Sequence, residues 1–269
     1  MLRGLELSRE DFRAIKAHCD RRGIEFISTP YDLGSVGFLE GLGVRRFKVS
    51  STDLTNRPLI EAIARTGRQV ILSTGMSTLA EVRRTVGRIR ELGNADLVIL
   101  HTTTGYPTPP DQVNLRAMQT LAREFPYPVG YSDHTIGNEV AILAVALGAR
   151  VLEKHLTLGR TMEGPDHFAS AEPEEMRELV RAVRAVELAL GTSEKAPSEL
   201  EAENAPLVRR SLHAARDLRK GTVLSMDDLR IVRPYDGIDP WEVEHVLGRR
   251  LGHGRKRDEP IRFEDLEPA

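Results

Sequence analysis

From residue 23 to residue 157 one unit recurs: a short β-branched run ends in polar residues, and a helix-period stretch follows. The runs are IEFISTP (24–30), FKVSS (47–51), VILSTG (70–75), LVILHTT (97–103), PVGYSDH (128–134) and RVLEKH (150–155). In the stretch at 78–92, Leu79, Val82, Val86 and Ile89 share one face, and Thr78 with Glu81 fits a capping box. Leu115, Met118, Leu121 and Phe125 repeat at helical spacing, and PEEMRELVRAVRAVELAL (173–190) closes the series. Strands alternating with helices require a parallel sheet, either a (β/α)₈ barrel or a doubly wound sheet. All six runs carry polar residues at their C-terminal ends. A barrel gathers every strand end around one catalytic mouth, whereas a doubly wound sheet needs only one switch point. No G-x-G-x-x-G follows any run. The reading is therefore a TIM barrel lacking its first two strands in this chain, since eight are needed and six are found. The chain opens instead in a helix, with Ser8 and Asp11 as its cap and Phe12, Ile15 and Cys19 on one face.

After Gly191 the pattern stops. TSEKAPSELEAENAP is polar and rich in Pro, Ala and Glu, so 192–208 is expected to be a linker between a barrel domain (1–191) and a small β-rich domain (209–269). The latter, with a turn at Lys220-Gly221, is expected to be too small for a rich core of its own.

Net charge is −2 with both signs interspersed, which excludes the basic surface of a nucleic-acid binder. The lone Cys19 excludes an intrachain disulfide and a cysteine-based zinc site, and a cytoplasmic setting is expected. The N-terminus is charged from residue 3, so no signal peptide is expected, and no stretch has the length and apolarity of a membrane span.

The strand ends carry the chemistry. Ser73-Thr74-Gly75 lies between a strand and a helix N-terminus, where backbone N–H groups favour an anion; an ordinary turn explains it equally. Lys48 within an apolar run needs an anionic partner if it points inward, or else is an exposed edge lysine. His134 and His155 end neighbouring strands. Adjacent strands lie about 5 Å apart, so the two imidazoles could share one metal ion; the alternative is two unrelated polar caps. Asp133, Glu153 and Asp166 offer carboxylates as further ligands or as partners that fix the histidine tautomers. His101 and His167 could instead be satisfied neutral histidines. In the Gly-Pro-Asp-His turn (164–167), Asp166 could bind a polyol.

Taken in order, FISTPYD, FKVSSTDLTN, VILSTGMSTLAEV, ILHTTTGYPTP, VGYSDHTIG, ALGARVLEKHLTL and GPDHFAS resemble the N-acetylneuraminate (sialic acid) synthase family. The tail RRSLHAARDLRKGTVLSMDDLRIVRPYDGI resembles the antifreeze-like SAF (β-clip) domain that such enzymes carry. The resemblance covers nearly all of the chain. It implies a TIM barrel with a C-terminal SAF domain that completes the partner's active site in a domain-swapped homodimer. It also implies condensation of phosphoenolpyruvate with an N-acyl hexose, typically N-acetylmannosamine, to a nine-carbon sugar acid and phosphate. The implied cofactor is a divalent cation, Mn²⁺ or Mg²⁺, held by His134 and His155. The implied phosphoenolpyruvate site is Thr29, Lys48, Ser51, Ser73, Thr104 and Ser132. Tyr106 and Asp166 would contact the sugar, and Arg233 would reach the N-acyl sugar of the other protomer. Lys48, Asp53, Tyr106 and Asp166 are the implied catalytic residues.

Asp53 stands where family members usually carry Glu, as in some spore-coat polysaccharide relatives. His101-Thr102-Thr103 replaces a His-Cys-Thr string, and Leu207 replaces an aromatic residue. Full-length relatives have two more strands, with a metal-proximal Glu and a phosphoenolpyruvate-binding Lys that have no counterpart here, so Met1 is expected to be internal to a longer protein or a misplaced start. Two rivals follow: a legionaminate, pseudaminate or spore-coat synthase with another acylated sugar, and a non-catalytic sugar- or metal-binding remnant with exposed strand edges.

Overall fold

The computed structural model describes residues 6–268. Residues 1–5, on which the reading of the N-terminus rests, and residue 269 lie outside the described residues. The chain divides into two units, Met1–Gly191 and Thr192–Ala269.

The first unit is an α/β structure. Its helices are α1 (Arg9–Arg22), α2 (Leu33–Gly41), α3 (Arg57–Arg65), α4 (Leu79–Glu91), α5 (Ala117–Glu124), α6 (Glu139–Ala146) and α7 (Pro173–Leu190). Between them β1 (Arg46–Val49), β2 (Gln69–Ser73), β3 (Leu97–Thr102), β4 (Val129–Asp133) and β5 (Leu152–Lys154) form one parallel sheet in sequential order. The capping boxes form as the sequence predicts: Ser8 with Asp11 starts α1, and Thr78 with Glu81 starts α4. Each such cap is worth about 1 kcal/mol.

Side chains alternate across the strands and separate two walls. Phe47, Val49, Val70, Leu72, Leu97, Ile99, Val129 and Tyr131 face outward into the main core, under Leu59, Ile63, Val82, Val86, Met118 and Leu121 of the helices. Burial of each large aliphatic or aromatic side chain contributes roughly 1.5–3 kcal/mol. Ile71, Val98 and Leu100, with Val151, face inward. Gly130 lies between them, and a Cβ there would sit 2.4 Å from the Val151 carbonyl and 2.6 Å from Leu100 Cδ2. Any larger residue would push β4 off β5. Below the mouth, Ile27, Ile71, Leu100 and Val151 border a cavity of about 820 Å³ whose far side is α7.

The run 24–30 is not a strand. Its one backbone bond to the sheet runs from Lys48 N to Ser28 O at 3.4 Å. Pro30 has no N–H to donate, and Ile24 and Ile27 are exposed, so neither hydrogen bonding nor burial holds the run in a ladder. Among the described residues this parallel sheet has five strands, in place of the six expected.

In the second unit, the segment expected to be a linker contains α8 (Glu199–Val208), started by a Ser198–Glu201 capping box. An S-x-x-E signal there outweighs the loop-like composition. β6 (Ser211–Ala214) pairs antiparallel with β7 (Leu229–Val232), and the rest is joined by isolated bridges. The expectation of a poor core is corrected: Leu212, Leu218, Leu224, Ile238, Val246, Leu251, Ile261 and Leu266 pack into a cluster of their own. Buried Asp228 and Asp265 are each paired with an arginine, Arg216 and Arg255. Among the described residues no helix is long and apolar enough to cross a membrane.

Candidate active site

Polar side chains replace apolar ones on the inner wall at the C-terminal ends of the strands. Continuing the alternation from Ile71, Leu100 and Val151 puts Ser73, Thr102 and Glu153 inward, with Ser132 beside them through the Thr102↔Ser132 and Ser132↔Glu153 pairings. Lys48 is paired with Ile71 and shares this side. One step further out, the chain places His134, His155, Thr104, Tyr106 and Asp166. These two tiers line one cavity of about 310 Å³, together with Thr29, Tyr31, Ser50, Ser51 and Thr52.

The lower tier centres on Lys48, 8% exposed. Its Nζ lies 3.4 Å from Glu153 Oε1 and donates to the Val49 carbonyl at 3.2 Å. Burial pushes the ammonium pKa down, and the Glu153 carboxylate opposes that shift. Glu153 also accepts from Ser132 Oγ at 2.8 Å. Ser73 Oγ and Thr102 Oγ1 are buried with no hydrogen-bond partner, which is costly unless a ligand or water meets them. Gly75 is packed so tightly here that a Cβ would lie 2.7 Å from Thr104 Oγ1 and 2.8 Å from Ser51 Oγ.

The upper tier centres on two imidazoles, ring centroids 5.3 Å apart. His134 Nδ1 meets the Thr103 carbonyl at 2.8 Å, which makes Nδ1 the donor and leaves Nε2 a free lone pair. Burial lowers the His134 pKa, the Thr103 carbonyl opposes this, and His155 adds to the lowering. Tyr106 lies over His134 at 4.3 Å between ring centroids and 5.4 Å from His155. Burial, and next the Asp166 carboxylate, push its phenol pKa up, so Tyr106 is a neutral donor. His155 Nδ1 is 3.9 Å from Asp166 Oδ2. Among the described residues no three His, Cys, Asp or Glu side chains are grouped as a full metal cage. A free Nε2 on a neutral imidazole beside a second imidazole fits a cation that leaves most of its coordination positions to water and substrate.

Ten sequence-predicted residues therefore meet: Thr29, Lys48, Ser51, Ser73, Thr104, Tyr106, Ser132, His134, His155 and Asp166. Asp53 does not line this cavity; it bonds Asn56 Nδ2 at 2.9 Å, ahead of α3. Arg233 is exposed just after β7 in the second unit. Asp133, a candidate ligand by sequence, points to the outer wall, where it pairs with Lys154 at 2.6 Å. Glu153 serves Lys48 and Ser132. His101 and His167 are satisfied by the Val113 carbonyl at 2.8 Å and Thr157 Oγ1 at 2.7 Å. The anion reading of Ser73-Thr74-Gly75 needs revision: Thr74 N and Gly75 N already bond Leu100 O and Ser51 Oγ, and Thr78 N bonds Glu81. The backbone N–H groups of Thr74 and Gly75 are therefore not free for an anion. Sequence reasoning missed Thr102, although two-residue alternation from Leu100 points to it.

A parallel α/β unit with a polar cavity at its strand ends, followed by a small β unit, defines a class of two-domain α/β protein. Comparison makes the class specific: residues 1–195 match the NeuB family model and residues 209–267 the SAF domain, so the chain belongs to the NeuB family. It is 45% identical over 271 residues to the N,N'-diacetyllegionaminic acid synthase of Legionella pneumophila, covering 99% of this chain and 76% of that protein. It is similar to the crystal structure of N-acetylneuraminic acid (sialic acid) synthetase from Leptospira borgpetersenii (TM-score 0.71, 36% identity, 74% of this chain and 70% of that one). It is also similar to a putative spore coat polysaccharide biosynthesis protein E from Chromobacterium violaceum (TM-score 0.79, 30% identity, 98% and 80%).

Proposed function

We propose that the chain is a phosphoenolpyruvate-dependent sugar-acid synthase of the C–C bond-forming transferase type, working in the cytoplasm as a homodimer on an N-acyl hexose. We read its five-stranded parallel sheet as part of a (β/α)₈ barrel. The observation that carries the reading is the division of the mouth into a hydroxyl-rich floor around the Lys48–Glu153 pair and a two-imidazole rim. Relatives named as sugar-acid synthases support it.

On the floor, Lys48 neutralises the phosphate or carboxylate of phosphoenolpyruvate, and hydroxyls of Thr29, Ser51, Ser73, Thr104 and Ser132 orient it. A charge-assisted bond of this kind contributes about 1.5–3 kcal/mol. Glu153 holds Lys48 and Ser132 in place. At the rim, His134 and His155 would hold the divalent cation, Mn²⁺ or Mg²⁺, which when bound polarises the aldehyde oxygen as a Lewis acid. Tyr106 and Asp166 orient the open-chain sugar, and Arg233 of a second protomer meets its N-acyl group. Stacked this way, C3 of the enol faces the aldehyde carbon. The new C–C bond forms there, water adds at C2, and the C2–O bond breaks to release phosphate.

The Legionella relative favours a diacetylated amino sugar as acceptor beside N-acetylmannosamine. The test is phosphate release from phosphoenolpyruvate with a panel of N-acyl hexoses, the sugar acid being identified by mass. Release with one acceptor supports the reading. Mn²⁺ binding without release from any acceptor supports a non-catalytic binding protein instead.

A further inference from the structure

We propose that Asp133 and Lys154 are a positioning pair for the two imidazoles: their buried ion pair on the outer wall sets the spacing of the strand ends from which His134 and His155 project inward. The inference rests on the metal reading above.

The β4–β5 register runs Tyr131↔Leu152, Ser132↔Glu153 and Asp133↔Lys154, and there it stops. The next residue on each strand is the histidine, so no further ladder pairing ties His134 to His155. The last tie is the ion pair itself, Lys154 Nζ to Asp133 Oδ2 at 2.6 Å, with side chains 4% and 0% exposed. Lys154 also donates to the Thr135 carbonyl at 3.0 Å and so grips β4 on both sides of His134. The other carboxylate oxygen of Asp133 accepts from Thr135 N at 2.9 Å, Thr135 Oγ1 at 2.8 Å and the Tyr131 hydroxyl at 3.2 Å. Residues 131, 133 and 135 are thereby bound to one carboxylate. His134, whose Nδ1 is anchored to Thr103, has few ways to move relative to β5.

Stability alone is a poor reason for this arrangement. Desolvating two charges costs about what their attraction returns, and an apolar pair of similar volume often serves as well. What an apolar pair cannot supply is direction. Packing without hydrogen bonds fixes no direction between the strand ends, which matters to two ligands sharing one ion. Groups that orient metal ligands from behind are worth roughly 10- to 100-fold in metal affinity.

The test uses the full chain and three readouts: thermal unfolding, Mn²⁺ affinity by titration calorimetry, and phosphoenolpyruvate affinity. Asp133→Leu combined with Lys154→Met should unfold cooperatively near the wild-type temperature and keep its affinity for phosphoenolpyruvate. Its Mn²⁺ dissociation constant should rise roughly 10- to 100-fold, and Lys154→Arg should restore most of that loss relative to Lys154→Met. If the double variant does not fold, Asp133→Asn carries the test with the same readouts. Wild-type Mn²⁺ affinity in a folded variant overturns the inference alone, as does a parallel loss of both ligands, which would mean general loosening. A wild-type chain that binds no Mn²⁺ overturns the metal reading, and this inference with it.

Discussion

The two walls of the sheet are equally polar at the strand ends of β3, β4 and β5, yet they treat their polar groups in opposite ways. On the outer wall the buried charges are met within the protein: Asp133 has four donors and Lys154 two acceptors. On the inner wall the hydroxyls of Ser73 and Thr102 have no partner, and His134 has one ring nitrogen spoken for and one free. A saturated buried group is part of the framework, while an unsaturated one beside a cavity is waiting for a ligand. Asp133 and His134, adjacent in sequence, fall on opposite sides of this divide.

The contrast can be broken in order of expected effect. His134→Ala should lower cation-dependent turnover by at least about 1000-fold and abolish high-affinity Mn²⁺ binding, because it removes one of two protein ligands. Unchanged Mn²⁺ affinity would sink its assignment to the rim. Lys48→Met should weaken phosphoenolpyruvate binding by about 10- to 100-fold, the worth of one charge-assisted bond, while Mn²⁺ binding persists. Equal affinity in the variant would remove Lys48 from the floor. Thr78→Ala, at the start of α4 and away from both walls, should cost about 1 kcal/mol in denaturant unfolding with no change in either affinity.

The smallest effect concerns acid. Burial pushes the His101 pKa below 6.5, against the opposing pull of the Val113 carbonyl. Below pH 6.5 the unfolded chain therefore binds more protons at this site than the folded one. Stability from His101 is complete above that pH and falls as the pH drops toward the folded pKa. His101→Gln should make the acid limb of the stability curve shallower, and an unchanged limb would mean that the site is not selectively neutral.

Much of this was legible in the sequence because period-2 alternation and polar strand ends are local signals. Leu79, Val82, Val86 and Ile89 marked α4; Lys48, Ser73, His134, His155 and Asp166 were readable at strand ends and turns, while Thr29, Ser51, Thr104, Tyr106 and Ser132 came from the family resemblance. Side-chain direction was harder. Asp133 sits between two inward residues in the string SDH, so only strict alternation tells that it faces away, and its charged partner Lys154 comes from the next strand. Glu153 reads as a metal-site carboxylate beside His155 but is one tier lower, held by Lys48 from a strand about a hundred residues earlier. The run 24–30 has strand composition without a partner on both sides, and pairing is not a local property. Ser198-x-x-Glu201 was a readable helix start whose surroundings looked like a linker.

If floor and rim form one site, Mn²⁺ bound at the rim lies close enough to the phosphate on the floor to broaden the phosphoenolpyruvate ³¹P resonance. With the wild-type chain, Mn²⁺ should broaden the signal of bound phosphoenolpyruvate. With His134→Ala the ligand should still bind, and its line should stay sharp at the same Mn²⁺ concentration. Equal broadening in both, or none in the wild-type chain when both ligands are bound, would contradict the account.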